Sequence, residues 1–152
     1  HRILIFSQFV TMLDLIEQQL SSEAFPLFRI DGQTPPQERL QRVNAFNEGA
    51  NDLFLISLKA GGTGLNLTGA DTVIHYDPWW NPAVEDQATD RAYRIGQQKV
   101  VQVFKLVTQG TIEEKIYHLQ QKKKQLVDAV IQPGENFLGK LSVEEIRELF
   151  EE

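Results

Sequence analysis

The sequence predicts an α/β domain, a parallel sheet with helices on both of its faces, continued by a C-terminal helical extension. Three observations carry this. Short apolar runs alternate with segments of helical period along the first 110 residues, the pattern of a strand–helix–strand chain whose strands are covered on both sides. Gly, Pro, Asn and Asp separate the runs, and these residues punctuate regular structure instead of continuing it. The polar and charged residues that look suited to binding fall at the carboxyl ends of the runs or in the helix that follows, where open parallel sheets hold ligands.

Taken in order, residues 3–6 are a continuous apolar run, and the helix after them puts Phe9, Leu13, Ile16 and Leu20 on one side. Residues 27–30 are the second strand. Asp31-Gly32 turns the chain into a helix whose start carries Thr34 and Gln37 as a capping box, with Pro35-Pro36 fixing its approach. Its buried side is Leu40, Val43 and Phe46, and Gly49 stops it. Residues 53–57 are the third strand, with a glycine-rich loop directly after. Residues 72–76 are the fourth, followed by Trp79-Trp80-Asn81-Pro82 and a helix with Asn81 as N-cap, Pro82 at its first position and Gly96 at its end. Residues 100–107, rich in β-branched side chains, are the fifth strand. Thr111 with Glu114 opens a helix to about residue 131, striped by Ile112, Ile116, Leu119, Leu126, Val127 and Val130, with Lys122-Lys123-Lys124 as its solvated face. Pro133-Gly134 breaks the chain before a last helix over 142–150 with a Ser142/Glu145 box and a Val143, Ile146, Phe150 stripe. The expected division is a lobe over 1–110 and a helical extension over 111–152 packed on it.

A chain of 152 residues suits one domain able to bury roughly two thirds of its unfolded surface. A hydrophobic content of 41% and a charged content of 24% are those of an ordinary globular protein. The net charge of −6 argues against a nucleic-acid binder driven by bulk charge. Six acids against Lys140 and Arg147 from residue 133 onward put −4 of it in the tail. The absence of cysteine removes disulfides and thiolate metal sites, and three scattered histidines make no zinc site. No apolar run approaches the roughly 20 residues that span a bilayer. The chain starts almost inside a strand, which reads as a piece cut from a longer protein.

Residues 86–97, Asp-Gln-Ala-Thr-Asp-Arg-Ala-Tyr-Arg-Ile-Gly-Gln, place Gln87, Arg91 and Arg94 at i, i+4 and i+7 of a helix, with Val84, Ala88 and Ile95 on the opposite face. Two guanidiniums a turn apart offer forked donors to a multiply charged anion such as a triphosphate. The competing reading is a solvated Asp90–Arg94 pair, as surface charge patterns usually are. Ala60-Gly61-Gly62-Thr63-Gly64 is not a Walker A loop, because no Lys-Ser/Thr follows it. It either presents amides to a phosphate or is a tight turn needing positive φ. Ser7 and Gln8, polar after an apolar strand, either donate to a phosphate oxygen or cap the next helix.

The 86–97 string resembles motif VI of the Swi/Snf-type ATPases, the DNA translocases of helicase superfamily 2. Ile5-Phe6-Ser7-Gln8-Phe9 resembles motif IV, Arg29-Ile30-Asp31-Gly32-Gln33-Thr34 the block after it, and Ser57-Leu58-Lys59-Ala60-Gly61-Gly62-Thr63-Gly64-Leu65-Asn66-Leu67 motif V. With Asp77-Pro78-Trp79-Trp80-Asn81-Pro82 these are five blocks in family order, and the likeness covers nearly the whole chain, weakening after about Ile131. The Trp-Trp form looks like the bacterial and post-replication-repair subgroups.

The resemblance implies a RecA-like, P-loop NTPase-like second helicase lobe. Arg91 and Arg94 would act as arginine fingers on ATP, which with magnesium is held mainly by a first lobe carrying the Walker A lysine, the magnesium-binding acids and the catalytic base, none of which is in this chain. Gln87, Gly62, Gly64 and Asn66 would lie on the nucleotide side, and Ser7, Gln8, Arg29, Lys59, Ala60 and Gly61 on the DNA side, with no metal ligand. Trp79 and Trp80 would wedge their loop against the sheet and the other lobe. The implied partners are the first lobe of the same protein and the phosphates of double-stranded DNA, with no membrane association. The piece alone is expected to be monomeric and inactive, cytoplasmic and nucleoid-associated in a bacterium or nuclear in a eukaryote. Two other readings stay open. One is an acidic α/β interaction module docking a protein through its arginine face and C-terminal helices; the other is a lobe of an RNA helicase, which fits the fold but not the Arg-Ile-Gly-Gln ending.

Overall fold

Residues 1–61, 64–93 and 96–129 are described by the computed structural model. Gly62, Arg94 and the helix expected over 142–150 lie outside the described residues. Five strands, β1 (Ile3–Ser7), β2 (Leu27–Ile30), β3 (Leu53–Ser57), β4 (Thr72–His75) and β5 (Gln102–Lys105), form one sheet in the order β2-β3-β1-β4-β5. Every neighbouring pair is parallel, with Leu4 in register with both Phe54 and Val73. The helices are α1 (Val10–Ser22), α2 (Pro36–Glu48), the single turn α3 (Leu58–Gly61), α4 (Pro82–Thr89) and α5 (Ile112–Ala129).

This order places the helices. From β1 the chain crosses past β3 to β2, and each later crossover runs the other way. Because parallel crossovers are right-handed, α1 falls on one face of the sheet and α2 and α4 on the other. Burial agrees: Leu4, Phe6, Phe54, Ile56 and Val73 form one continuous core with Val43 and Phe46 of α2 and Ala88 of α4. Leu13 of α1 is fully buried outside that cluster, and α1 lies over β3 and β1. Phe46 sits 5.2 Å from the Phe54 ring, and the Arg2 guanidinium covers it at 4.3 Å from the ring centroid. A buried phenylalanine is worth about 3 kcal/mol of transfer free energy, so α2 is fixed mainly through this ring.

Three local expectations are corrected. The Thr34/Gln37 capping box does not form: Asp31 builds a turn by accepting from the Gln33 amide (2.9 Å) and its own N–H donates to Thr34 Oγ1 (3.1 Å), so the hydroxyl is used before the helix begins. The cap position is Pro35, which has no side-chain acceptor. Leu40 is 61% exposed, because an i, i+3, i+6 series precesses and leaves it roughly 120° from Phe46 around the helix. The fifth strand is shorter than expected and exposed along its length, as an edge strand with one neighbour is. Gly49 does end α2 in the left-handed region, with φ 98°.

Asn47, just before that end, reaches across to the segment after the glycine turn. Its Oδ1 accepts from the Gly69 amide (2.9 Å) and its Nδ2 donates to the Asn66 carbonyl (2.8 Å). A Cβ on Gly69 would stand 2.8 Å from Arg2 Nη1 and 3.0 Å from Asn47 Cα, whereas one on Gly32 would meet nothing within 4 Å. Gly69→Ala is therefore expected to cost about 1–3 kcal/mol of stability in urea unfolding, since backbone has to give way. Gly32→Ala, the control, should stay within about 0.5 kcal/mol.

Candidate functional site

β1 and β4 are neighbours whose crossovers leave in opposite directions, so the crevice beyond their carboxyl ends is the switch point at which parallel sheets bind ligands. The residues there are Ser7, Gln8 and Asp77. Ser7 is 0% exposed, and its hydroxyl donates to Asp77 Oδ2 in a short contact while accepting from the Phe9 amide (3.1 Å). The Gln8 amide donates to Asp77 Oδ1 (2.9 Å) and its side chain to the Pro78 carbonyl (3.0 Å). The Ser7 hydroxyl thus points into the lobe, and the two residues expected to reach a phosphate instead bind the 77–78 loop to β1. Burial pushes the Asp77 carboxyl above its ordinary value, only partly offset by the Ser7 and Gln8 donors. Beside it opens a cleft of about 600 Å³ bounded by Phe9, Met12, Tyr76, Leu106, Asp77 and Glu113.

Arg29, the other residue read toward DNA, is neutralised within the lobe. Its guanidinium meets Asp14 and Glu17 of α1 at 2.6 Å each and Asp31 at 3.0 Å. Burial works against its charge, but Glu17, Asp14 and Asp31 outweigh burial and raise its pKa. A cation ringed by three carboxylates has little field left for a phosphate.

The glycine-rich stretch starts as a helical turn, not an open loop. Ser57 caps it by accepting from the Ala60 amide (3.3 Å). Ala60 is buried and Lys59 is exposed. Gly64 has φ 77°, so the tight-turn reading holds at that position. Gly64 and Asn66 are exposed. Ser7 is in register with Ser57, and α3 lies against α4, so the ends of β1 and β3 and the start of the arginine segment meet along one edge. Arg29 on β2 stands apart from that group.

α4 begins as expected, with Asn81 Oδ1 accepting from the Ala83 amide (3.2 Å) and Pro82 in the first turn. It ends at Thr89, well before Gly96. The chain then tightens to i, i+3 bonds, Arg91 N–H to Ala88 O (3.2 Å) and Ala92 N–H to Thr89 O (3.0 Å), and the Ala92 carbonyl is taken by the Gln97 side chain (3.0 Å). Gln87 and Arg91 consequently do not share an outward face: Gln87 is exposed, and Arg91 is 4% exposed. The Arg91 carbonyl accepts from the Leu67 amide (3.0 Å), and Gln97 Nε2 also donates to Thr68 O (3.1 Å) and Ala70 O (2.7 Å). The Tyr93 hydroxyl donates to the Val101 carbonyl (2.7 Å). The residues flanking Arg94 are therefore fastened to the glycine segment and to the approach to β5.

Three residues of this arrangement were missed in the sequence: Asn47, Gln97 and, above all, Glu85. Glu85 is fully buried. Its Oε1 accepts from the Trp79 amide (2.7 Å) and Gln120 Nε2 (3.1 Å), and its Oε2 from Lys105 Nζ (2.5 Å). Gln120, on α5, also donates to the Trp79 carbonyl in a short contact. The signal was present: Glu85, Ala88 and Ala92 fall at i, i+3 and i+7, so an acid stands on the apolar side of the helix. Trp79 packs partly buried against the core, in keeping with a wedge and not a stacking platform. Among the described residues no group of three or more His, Cys, Asp or Glu side chains is placed to hold a metal ion.

Residues 1–96 match the helicase conserved C-terminal domain. The chain is 49% identical over 148 residues to a Bacillus subtilis protein described as an ATP-dependent helicase/translocase, YwqA, covering 97% of this chain and 16% of that protein. It is 46% identical over 148 residues to the ATP-dependent helicase rhp16 of Schizosaccharomyces pombe, covering 97% of this chain and 17% of that one. The chain thus spans about a sixth of the length of these relatives. The crystal structure of the C-terminal part of the Fun30 ATPase domain superposes with a TM-score of 0.79 at 35% identity, over 98% of this chain and 45% of that one.

The Asp31 and Asp77 carboxyls give opposite pH responses. Asp31 is pushed up by burial, but the Gln33 amide, the Arg29 guanidinium and the Thr34 hydroxyl outweigh that and hold it below its ordinary value. Its stabilisation is complete above the unfolded pKa of about 3.9 and is lost as pH falls through the folded value. Asp77, raised on folding, favours the fold below its unfolded pKa and loses that contribution as pH rises through the folded value. Urea midpoints across the acid range should accordingly give a shallower acid limb in Asp31→Asn. In Asp77→Asn the decline on raising pH from about 4 should be reduced; parallel curves for both variants and the parent would contradict the assignment.

Proposed function

Since the chain belongs to the helicase conserved C-terminal domain family, as the RecA-like second lobe of a Swi/Snf-type superfamily 2 ATPase, we propose that it is the arginine-donating half of a motor that moves along double-stranded DNA, closing on ATP held by a first lobe of the same protein. The observation that supports this best is the joining of the glycine segment to the arginine segment. Leu67 N–H to Arg91 O, with Gln97 to Thr68 and Ala70, ties the two together. A push on a DNA phosphate at one end is then felt by the arginines at the other.

Phosphoryl transfer spreads charge over the γ-phosphoryl oxygens, and catalysis is mostly positioning and neutralisation of that charge. In this reading Arg94 and Arg91 supply the neutralising guanidiniums when the lobes close, and Gln87, Gly62, Gly64 and Asn66 line the nucleotide side. The Walker A lysine is not in this chain. Acids of the first lobe would hold magnesium, which would supply neutralisation of charge on the phosphates. On the DNA side the exposed Lys59 carries the charge, with Gln8, Ala60 and Gly61 beside it. Ser7 and Arg29, engaged within the lobe, shape that edge through Asp77 and α1. With a net charge of −6, the lobe's own hold on DNA is weak and independent of base sequence.

Arg94→Ala in the intact protein is expected to lower kcat for ATP by about 10³ or more with little change in nucleotide binding, the loss typical of an arginine finger. Arg94→Lys should remain badly impaired, because lysine keeps the charge but not the planar fork. A surface ion pair would be worth only about 0–1 kcal/mol and would touch stability alone, so near-normal turnover in Arg94→Ala sinks the proposal. Lys59→Ala should reduce stimulation of turnover by DNA more than basal turnover. An equal loss of both would move Lys59 to the nucleotide side.

A further inference from the structure

The fully buried Glu85 joins three parts of the chain that are distant in sequence: the backbone of Trp79, Lys105 on β5 and Gln120 on α5. From these contacts we infer that Glu85 and Gln120 are positioning residues, through which the helical extension sets where the arginine segment stands. This rests on the reading that Arg91 and Arg94 act on the nucleotide.

α4 is short and held at both ends. Glu85 anchors its first turn, and Thr89, its last residue, lies with Oγ1 2.9 Å from His75 Nε2 of β4. About 6 Å of helix separates the two, and Arg91 follows two residues later. Ala88 on α4 and Ala92 just beyond its end, both buried, lie flat against the core. A helix of this length does not bend between such anchors, so a displacement of Glu85 is a displacement of the arginine segment.

Gln120 makes α5 the element that can impose one. Its side-chain nitrogen donates both to Glu85 Oε1 and to the Trp79 carbonyl, and it is itself buried beside Ile116 and Leu119. Removing a donor from a buried carboxylate is strongly disfavoured. When α5 shifts, Glu85 and the Trp79 loop follow instead of letting go. The opposite face of α5 carries the exposed Lys122, about 200° around the helix from Gln120, so the helix has a solvent-facing side on which another part of a larger protein can act. The extension is then a lever on the arginines, and it requires no contact with nucleotide.

The test uses the intact motor protein. Gln120→Leu keeps the side chain's size and removes both donations, leaving the Glu85–Lys105 pair and the Trp79 amide in place. Glu85→Gln keeps an acceptor for the Trp79 amide and removes the charge facing Lys105. Measured per folded molecule, DNA-stimulated kcat should fall about ten- to a hundredfold in both, the effect of a small misplacement far from the chemistry, while KM for ATP and DNA affinity stay near the parent. If Glu85→Gln does not fold, Gln120→Leu alone decides. Unchanged kcat per folded molecule in Gln120→Leu overturns the inference, as does a KM that rises in step with the fall in kcat. Arg94→Ala separates the two levels: crippled turnover there with normal turnover in Gln120→Leu removes the lever and leaves the arginine reading standing, and near-normal turnover in Arg94→Ala removes both.

Discussion

A carboxylate sealed from water needs donors, and Glu85 takes them from a loop, a strand and a helix. Much of the lobe's arrangement follows from meeting that demand. Desolvating an ion costs several kcal/mol even after relaxation, comparable to the net stability of a domain, and the donors from the Trp79 backbone, Lys105 and Gln120 together offset that cost. Each brings its own element along. β5 is an exposed edge strand with one neighbour, yet Lys105 ties it to the helix on the sheet's face. α5 buries Ile116 and Leu119 and adds Gln120 to the same carboxylate.

The same economy explains where the arginines went. In an acidic chain a guanidinium on the surface is screened and has many carboxylates to choose from. Arg29 is enclosed by three carboxylates, and Arg42 pairs with Glu38 and reaches the Arg29 carbonyl in short contacts. These pairs brace α1 and α2 against the edge strand β2 and leave Lys59 exposed at the crevice edge.

Two polar clamps then organise the edge where the family's blocks converge. Asp77 gathers Ser7 and Gln8 beneath the β1–β4 switch point, and Gln97 with the Arg91 carbonyl gathers the segment after the glycine turn. Both clamps use side chains to satisfy the backbone of loops, which would otherwise be left without partners inside the lobe.

The sequence alone determined the succession of five strands along the chain and the helices α1, α2, α4 and α5 between and after them, the parallel class, the Asn81 and Gly49 helix ends and the family, because each rests on residues within a turn or two of one another or on a contiguous string. It did not determine the end of α4, the inward turn of Arg91, the internal engagement of Ser7 and Arg29, or the importance of Glu85. Those depend on partners across the fold: Ser7 meets a carboxylate 70 residues away, Arg29 on β2 two acids of α1, the Arg91 carbonyl the Leu67 amide, and Glu85 a glutamine 35 residues on. Helical periodicity says which side of α4 faces inward, but only the packed structure decides that a charge is wanted there, because the donors that make a buried charge tolerable come together only when the sheet has closed.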